Sequence, residues 1–265
     1  MVKSCQKAGR DLNVCADESP SVGFASIIIP VKDEANSIAG LISEIKENLD
    51  GNHHEIIVID DGSEDKTAEI ARAGGAVVVS HGRNLGKGAA MKTGVNAAQG
   101  DTIVFIDGDG AHYPHDILRI IAPISAGEAD LVIGSRALPE SEVFVSPFAR
   151  KLSNGLASSL MSVIVSLLLP LVMLKSPKRI RITDCTSGFR AINRETWQKL
   201  ALTSQEFQIE AEMIYEAAKH DLVITEVPIG CKWDSHLSHL SVVRDGSKTL
   251  LLLARKLLGD MGRRH

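Results

Sequence analysis

The chain has 265 residues, 44% hydrophobic and 23% charged, with a formal net charge of −4. That composition fits a globular protein with a real core and excludes a disordered chain. With only 4% aromatic residues and no basic excess, it offers neither the charged face nor the stacking platforms that nucleic acids require.

Residues 1–22 are rich in Ser, Asp, Lys and Gly and read as a flexible extension, with no apolar stretch before Phe24 to serve as a secretory signal. Val22–Val31 is a continuous apolar run, as expected of a strand buried on both faces. Apolar residues then recur at Ile38, Leu41, Ile42, Ile45 and Leu49, the three-and-four spacing of a helix. Glu55–Asp60 is a second buried strand ending in Asp61-Gly62-Ser63. It is followed by a helix from Asp65 to Ala73, a strand over Ala76–Ser80 and a helix over Gly86–Ala98. Asp101–Ile106 is a strand running into Asp107-Gly108-Asp109-Gly110, Pro114 suits the first turn of the next helix, and Leu131–Ile133 is a fifth strand.

Strands alternating with helices imply a parallel sheet covered on both faces. Ligands of such sheets sit beyond the carboxyl ends of the strands. Here those ends carry Pro30–Glu34, Asp60–Ser63 and Asp107–Asp109, so acidic side chains from three strands converge on one crevice.

The character changes after residue 134. Residues 152–174 carry no charge, and Lys175, Lys178, Arg179 and Arg181 follow at once. By length alone this stretch meets the criterion for a membrane span, but Asn154, Gly155, the serines and Pro170 argue against one. An element lying in the membrane interface, with its cations near anionic headgroups, and a buried core or dimer helix both remain open. Beyond Thr183 the chain returns to mixed character. It has a helix from Arg194, another over roughly Gln208–Lys219, a strand over Leu222–Pro228, and an amphipathic tail at Ser247–Leu258 too short to span a bilayer.

Two aspartates one residue apart at the end of a buried strand repel each other, and the usual compensation is a divalent cation. All-oxygen ligands favour Mg²⁺ or Mn²⁺, which typically bridge to substrate phosphates. Asp107 and Asp109 are therefore candidate metal ligands, with a turn at a strand end as the plain alternative. Other motifs fail. An EF-hand would need glycine at His112 and glutamate at Leu118. The pairs His112/His115 and His236/His239 lack a third zinc ligand. Asn84–Gly88 departs from a Walker loop in spacing and lacks its hydroxyl residue. Cys5, Cys15, Cys185 and Cys231 show no C-x-x-C spacing and read as reduced thiols of a cytosolic protein.

The ordered set S-I-I-I-P-V-K-D-E-A-N, V-I-D-D-G-S-E-D, N-L-G-K-G-A-A, F-I-D-G-D-G and T-S-G-F-R-A resembles the inverting, metal-dependent family-two glycosyltransferases of GT-A fold, over roughly residues 24–258. Within them the chain is similar to the dolichyl- or polyprenyl-phosphate sugar synthases. The resemblance implies an α/β, GT-A (Rossmann-like) fold: a mixed, mainly parallel sheet flanked by helices, with an apolar interfacial segment. It implies one domain over 23–258, divided into a nucleotide-binding half at 23–134 and an acceptor- and membrane-facing half at 135–258, with 259–265 as a tail.

It further implies nucleotide-sugar contacts at Pro30, Val31, Lys32, Glu34, Asp60, Gly62, Lys87 and Gly108, with Asp184, Arg190 and Glu210 in segments that close over the sugar. Asp107 and Asp109 match the positions that carry the metal (Mg²⁺ or Mn²⁺) and the donor diphosphate, and count with Arg136 as catalytic. Arg136, Arg150 and Ser153 fall where relatives grip the acceptor phosphate. Two departures stand out: Ala111 replaces a glutamine that can join the metal, and Ser238-His239 stands where Ser-Lys is usual, which leaves His239 or Arg244 as the acceptor cation.

The implied partners are a UDP- or GDP-linked sugar, a polyprenyl phosphate and the cytoplasmic face of a membrane, bound peripherally or monotopically, with a homo-oligomer as a possibility. Two alternatives are a transferase acting on a soluble hydroxyl acceptor, with Glu210 or Asp184 as base, and a catalytically inactive membrane-associated subunit.

Overall fold

The computed structural model describes residues 23–141, 143–144, 162–163, 165, 182–232 and 242–262. Its first half alternates strand and helix: β1 (Ala25–Val31), α1 (Ile38–Asn48), β2 (His54–Asp60), α2 (Thr67–Ala73), β3 (Val77–Ser80), α3 (Lys87–Ala97), β4 (Thr102–Phe105), α4 (Ile117–Ser125) and β5 (Leu131–Ser135). The remainder comprises β6 (Val143–Phe144), β7 (Arg190–Asn193), α5 (Arg194–Lys199), α6 (Ile209–Lys219), β8 (Ile224–Pro228), β9 (Cys231–Lys232) and α7 (Val242–Gly262).

Seven strands form one sheet in the order β3-β2-β1-β4-β7-β5-β8. Every pairing is parallel except those of β7, which runs antiparallel between β4 and β5. The apolar runs of β1, β2 and β4 alternate between two cores. Ile28, Ile57, Ile59, Ile103 and Phe105 face α3, α5 and α6, where they meet Met91, Trp197, Met213 and Ile214. Ile27, Ile29, Val58 and Val104 face α1 and α4 through Ile38, Leu41, Ile42, Ile117 and Ile121. Because side chains alternate along a strand, a run with no polar break supplies both layers at once. Each fully buried isoleucine contributes about 1.5–3 kcal/mol, so the sheet is the rigid part of the molecule.

Several predicted boundaries shift, each for a local reason. The helix expected from Asp65 starts at Thr67, because Asp65 Oδ1 accepts the Thr67 amide at 2.9 Å and caps the turn. The helix expected from Gly86 starts at Lys87, since Gly86 has φ +97°. β8 starts at Ile224 rather than Leu222: Leu222 N donates to Ala217 O and closes the end of α6, with Asp221 at φ +54°. The antiparallel strand β7 is absent from the sequence reading. α5 begins at Arg194 as expected, with the Asn193 side chain accepting from Glu195 N at 2.8 Å.

The uncharged stretch 152–174 lies outside the described residues apart from Ser162, Val163 and Val165. Among the described residues no helix is long and apolar enough to cross a membrane. Residues 1–22 are likewise outside them, and α7 continues past residue 258 to Gly262.

Candidate active site

β4 ends against the crevice, and Asp107 is the first side chain beyond it to meet a charge. Its Oδ1 lies 2.6 Å from Lys87 Nζ, and the same ammonium lies 2.6 Å from Glu210 Oε1. Lys87 is the first residue of α3 and Glu210 stands in the first turn of α6, so three elements from both halves of the chain share one cation. The Phe207 ring closes the site, 5.6 Å from Lys87 Nζ to its centroid. Gly188, two residues before β7, completes it: a Cβ there would lie 2.5 Å from both Asp107 carboxylate oxygens and from Lys87 Nζ.

A separate acid aims Lys87. Both oxygens of Asp61 are used, Oδ1 by Leu85 N at 2.8 Å and by His81 Nδ1 at 2.7 Å, Oδ2 by Gly86 N at 2.7 Å. His81 Nε2 continues to Thr93 Oγ1 on α3 at 3.0 Å. The loop before α3 is thereby fixed on the end of β2. Gly86 is required there twice over, by its positive φ and by the Gln205 carbonyl, 2.5 Å from where its Cβ would stand.

The electrostatics follow from two carboxylates on one ammonium, with a third, Asp109, beside them. Burial favours the neutral Asp107, but Lys87 and then His112 outweigh it and hold the carboxyl far below the usual carboxylate range. Burial works against the charged Lys87 too, and is outweighed by Asp107 and Glu210, which raise its pKa. Glu210 is pushed up, chiefly by burial. Asp109 is pushed up by burial and by Asp107; its Oδ1 accepts Ala111 N at 2.9 Å, and it forms no ion pair among the described residues. His112 is buried with Nε2 3.8 Å from Asp107 Oδ2, and its Nδ1 has no partner among the described residues.

Asp107, paired with Lys87 and held ionised, and Asp109, without an ion pair among the described residues, supply crowded oxygen ligands, a donor set suited to a hard divalent cation. Among the described residues no cluster of three or more His, Cys, Asp or Glu side chains is arranged for a metal. A cation here would draw its remaining ligands from a diphosphate and water, the usual habit of Mg²⁺.

The ends of β1 and β2 form the adjoining wall. Val31 pairs in register with Asp60, and Pro30 with Ile59. Asp60 Oδ1 accepts Ser63 N at 2.9 Å, and Gly62 turns at φ +75° against the Arg83–Asn84 backbone. Lys32 pairs with Asp33 at 2.7 Å on the exposed rim, with Asp33 itself at φ +58°. Glu34 N donates to Thr67 Oγ1 at 2.8 Å, and its carboxylate accepts from Ser37 Oγ at 3.0 Å. Ser37 also donates to Gly108 O at 2.7 Å, and Gly108 packs on Val31, so β1 and the Asp107–Asp109 turn are tied directly.

On the other side, at the end of β5, the Arg136 guanidinium grips Asp184 through Nε at 2.7 Å and Nη2 at 2.9 Å, with Thr186 Oγ1 at 3.1 Å. Burial alone would favour a neutral Asp184, but Arg136 holds it well below the carboxylate range. Glu226 accepts Thr183 N and Asp184 N at 2.9–3.0 Å and fixes this segment on β8. Arg190 is completely buried, and its guanidinium donates to the carbonyls of Ser187, Glu210 and Cys185 at 2.7, 2.5 and 2.7 Å. It holds the backbone on either side of Gly188. Arg150, Ser153 and His239 lie outside the described residues, and Arg244 lies in α7 among residues described by their backbone alone.

The structure brings Lys87, Asp107, Asp109 and Glu210 into one site and puts Arg136 with Asp184 beside it. Asp61, expected with Asp60–Ser63 on the nucleotide wall, instead holds the loop before α3. Sequence reasoning missed Gly188 and Phe207 as parts of this arrangement. The signal for Gly188 was a glycine inside the Thr186–Phe189 motif. Phe207 acts through a contact with no local mark.

A family model described as Glycosyl transferase family 2 matches residues 26–200. Glycosyltransferase AglJ of Haloferax volcanii is 31% identical over 241 residues, covering 89% of this chain and 73% of the relative. The UDP-N-acetylglucosamine–dolichyl-phosphate N-acetylglucosaminyltransferase of Methanococcus voltae is 28% identical over 225 residues, 77% of this chain and 83% of the relative. Among solved structures, glucosyl-3-phosphoglycerate synthase of Mycobacterium tuberculosis, in complex with Mn²⁺, UDP and phosphoglyceric acid, superposes with a TM-score of 0.69 at 22% identity, over 90% of this chain and 80% of that one. The likeness establishes a shared GT-A fold.

Proposed function

The chain belongs to glycosyl transferase family 2, and we propose from that premise that it transfers a sugar from a UDP- or GDP-linked donor to a polyprenyl phosphate, with inversion, at the cytoplasmic face of a membrane. The observation that carries the reading is the excess of carboxylate at the sheet mouth: Lys87 pairs with Asp107 and Glu210, which leaves the neighbouring Asp109 without an ion-pair partner among the described residues. Such a site is incomplete without added positive charge.

Asp107 and Asp109 would hold a Mg²⁺ or Mn²⁺ ion, which when bound neutralises the leaving diphosphate. Lys87 keeps Asp107 ionised and in place. Pro30–Glu34 and Asp60–Gly62 line the nucleotide wall. Arg136, already oriented by Asp184, offers guanidinium hydrogens to an acceptor phosphate, a pairing guanidinium geometry suits. A phosphate monoester is largely dianionic near neutral pH, so it attacks the anomeric carbon without a general base. The dolichyl-phosphate acceptor named for the Methanococcus voltae relative supports this choice.

The test is a donor-by-acceptor screen with the purified chain and Mg²⁺ or Mn²⁺, following labelled sugar into the organic phase. Transfer to polyprenyl phosphate is the expected result, and label found only on water-soluble acceptors overturns the reading. One observation favours a soluble hydroxyl acceptor as the second reading: Glu210 is a buried carboxylate with its proton affinity raised by burial, as a general base needs. Asp184 is a poor base, because Arg136 holds its proton affinity low.

A further inference from the structure

A cleft of about 400 Å³ opens between the loop 203–208 and α7. Ser204 and Gln208 line it and are 8% and 7% exposed, yet Ser204 Oγ and Gln208 Nε2 have no hydrogen-bond partner among the described residues. Buried polar groups are nearly always paired, so two unpartnered donors in the wall of one cleft mark it as short of hydrogen-bond acceptors. Both can donate a hydrogen bond, and the cleft also carries Lys248 and Arg255. Its acid, Glu206, is engaged by Lys248, whereas Arg255 has no acidic partner among the described residues. Spare donors in the wall and a guanidinium without an acidic partner among the described residues favour an anion over a cation.

The α7 side of the cleft adds apolar surface from Leu251 and Leu252, between Lys248 and Arg255 on the same helix. Leu251 is 53% exposed, and Leu250 and Leu258 on the same helix are 37% and 68% exposed. Thr249 and Leu253 of α7 are buried, with Leu253 packed in the core beside Tyr215 of α6, so the helix carries a second, outward apolar face. A free phosphate or a nucleotide would leave these leucines in water. We propose that the cleft takes the phosphate head of an anionic membrane phospholipid, its chains lying along the outward leucines of α7. The cleft's floor is also the roof of the catalytic site: Phe207 faces Lys87, and Gln205 O accepts Ala89 N at 3.0 Å. A bound headgroup would thus steady the loop that covers the Lys87–Glu210 pair.

The experiment is co-sedimentation of the full chain with phosphatidylcholine vesicles, with and without phosphatidylglycerol. Wild-type protein should follow the phosphatidylglycerol vesicles. Arg255→Gln should weaken partition about fivefold, the effect of one basic residue at an anionic surface, and Leu251→Asn about tenfold through lost apolar burial. Both side chains are exposed, and thermal melts of the free variants should match wild type. Four results would each overturn the proposal: equal partition onto phosphatidylcholine alone; variants that bind like wild type; release from phosphatidylglycerol vesicles by millimolar inorganic phosphate, which would mean a free-phosphate site; and binding only when polyprenyl phosphate is doped in, which would mean an acceptor site.

Discussion

Lys87 Nζ and Glu210 Oε1 stand 2.6 Å apart although 123 positions separate them in the chain. The pair joins the start of α3 to the start of α6, and Asp107 closes it from β4. Removing the ammonium strips the buried Glu210 and the part-buried Asp107 of their shared cation, and breaking a buried pair in this way typically costs about 3–5 kcal/mol. Lys87→Met should therefore melt well below wild type without metal. Added Mn²⁺ should stabilise the variant more than wild type, since it supplies the missing charge. Differential scanning calorimetry with and without Mn²⁺ reads both effects, and equal Mn²⁺ shifts in the two proteins would refute the account.

Gly188 leaves room for the Lys87–Asp107 pair. A methyl there meets Asp107 and Lys87 at 2.5 Å, so one of them must move. Gly188→Ala should retain the fold, at a loss of about 1–3 kcal/mol, but lose transfer far beyond that through misplacement of Asp107. A circular-dichroism melt beside a turnover assay separates the two. A variant with near-normal turnover would mean that Asp107 has freedom the structure does not show.

The first five strands were legible because each apolar run is bounded by Gly, Asp or Asn, and because all but the edge strand β3 are largely buried, which needs no knowledge of partners. β7 was not. Its four residues begin with Arg190, and a charged residue at the head of a short run reads as loop. Three backbone carbonyls, two from the preceding Cys185–Ser187 turn and one from Glu210 on α6, make that cation tolerable inside. The acidic strand ends announced a cation site from sequence, since like charges at fixed spacing need compensation. That Asp61 is spent on the Leu85–Gly86 backbone while Asp60 turns to Ser63 could not be read, because both are identical carboxylates one residue apart.

Asp109 has its proton affinity raised by burial and by Asp107 and lacks an ion-pair partner among the described residues. A divalent cation should bind against that repulsion, and Asp109→Asn should remove most of the attraction. Titration calorimetry with Mn²⁺ and a nucleotide diphosphate should show binding at least about tenfold weaker in the variant, in line with loss of a ligand contact worth about 1.4 kcal/mol or more, and transfer should nearly vanish. Full activity of Asp109→Asn in excess chelator would rule out metal assistance through this position.

The attachment of α7 should depend on acid. Glu212 is buried in α6, with Oε1 accepting Thr203 N and Oγ1 at 2.9 and 2.7 Å, Oε2 accepting Ser204 N at 2.8 Å, and Lys256 of α7 at 2.8 Å. Burial alone would raise its pKa, but Lys256 and the Thr203–Ser204 donors bring it down to about 2 from an ordinary 4.5. A carboxyl whose folded pKa lies below its unfolded value stabilises the fold above the unfolded pKa, and that contribution fades as pH falls through the folded one. The window therefore runs from about 4.5 down to about 2. Glu212→Gln cannot ionise and should be less stable than wild type near neutral pH by about 1.5–3 kcal/mol, the range for hydrogen bonds to a charged group. That difference should shrink steadily across the window and vanish at its acid end. Urea titrations of both proteins at a series of pH values measure it, with hydrogen exchange of α7 as the local readout. A difference that stays constant with pH would mean that the carboxylate's charge does not hold α7 in place.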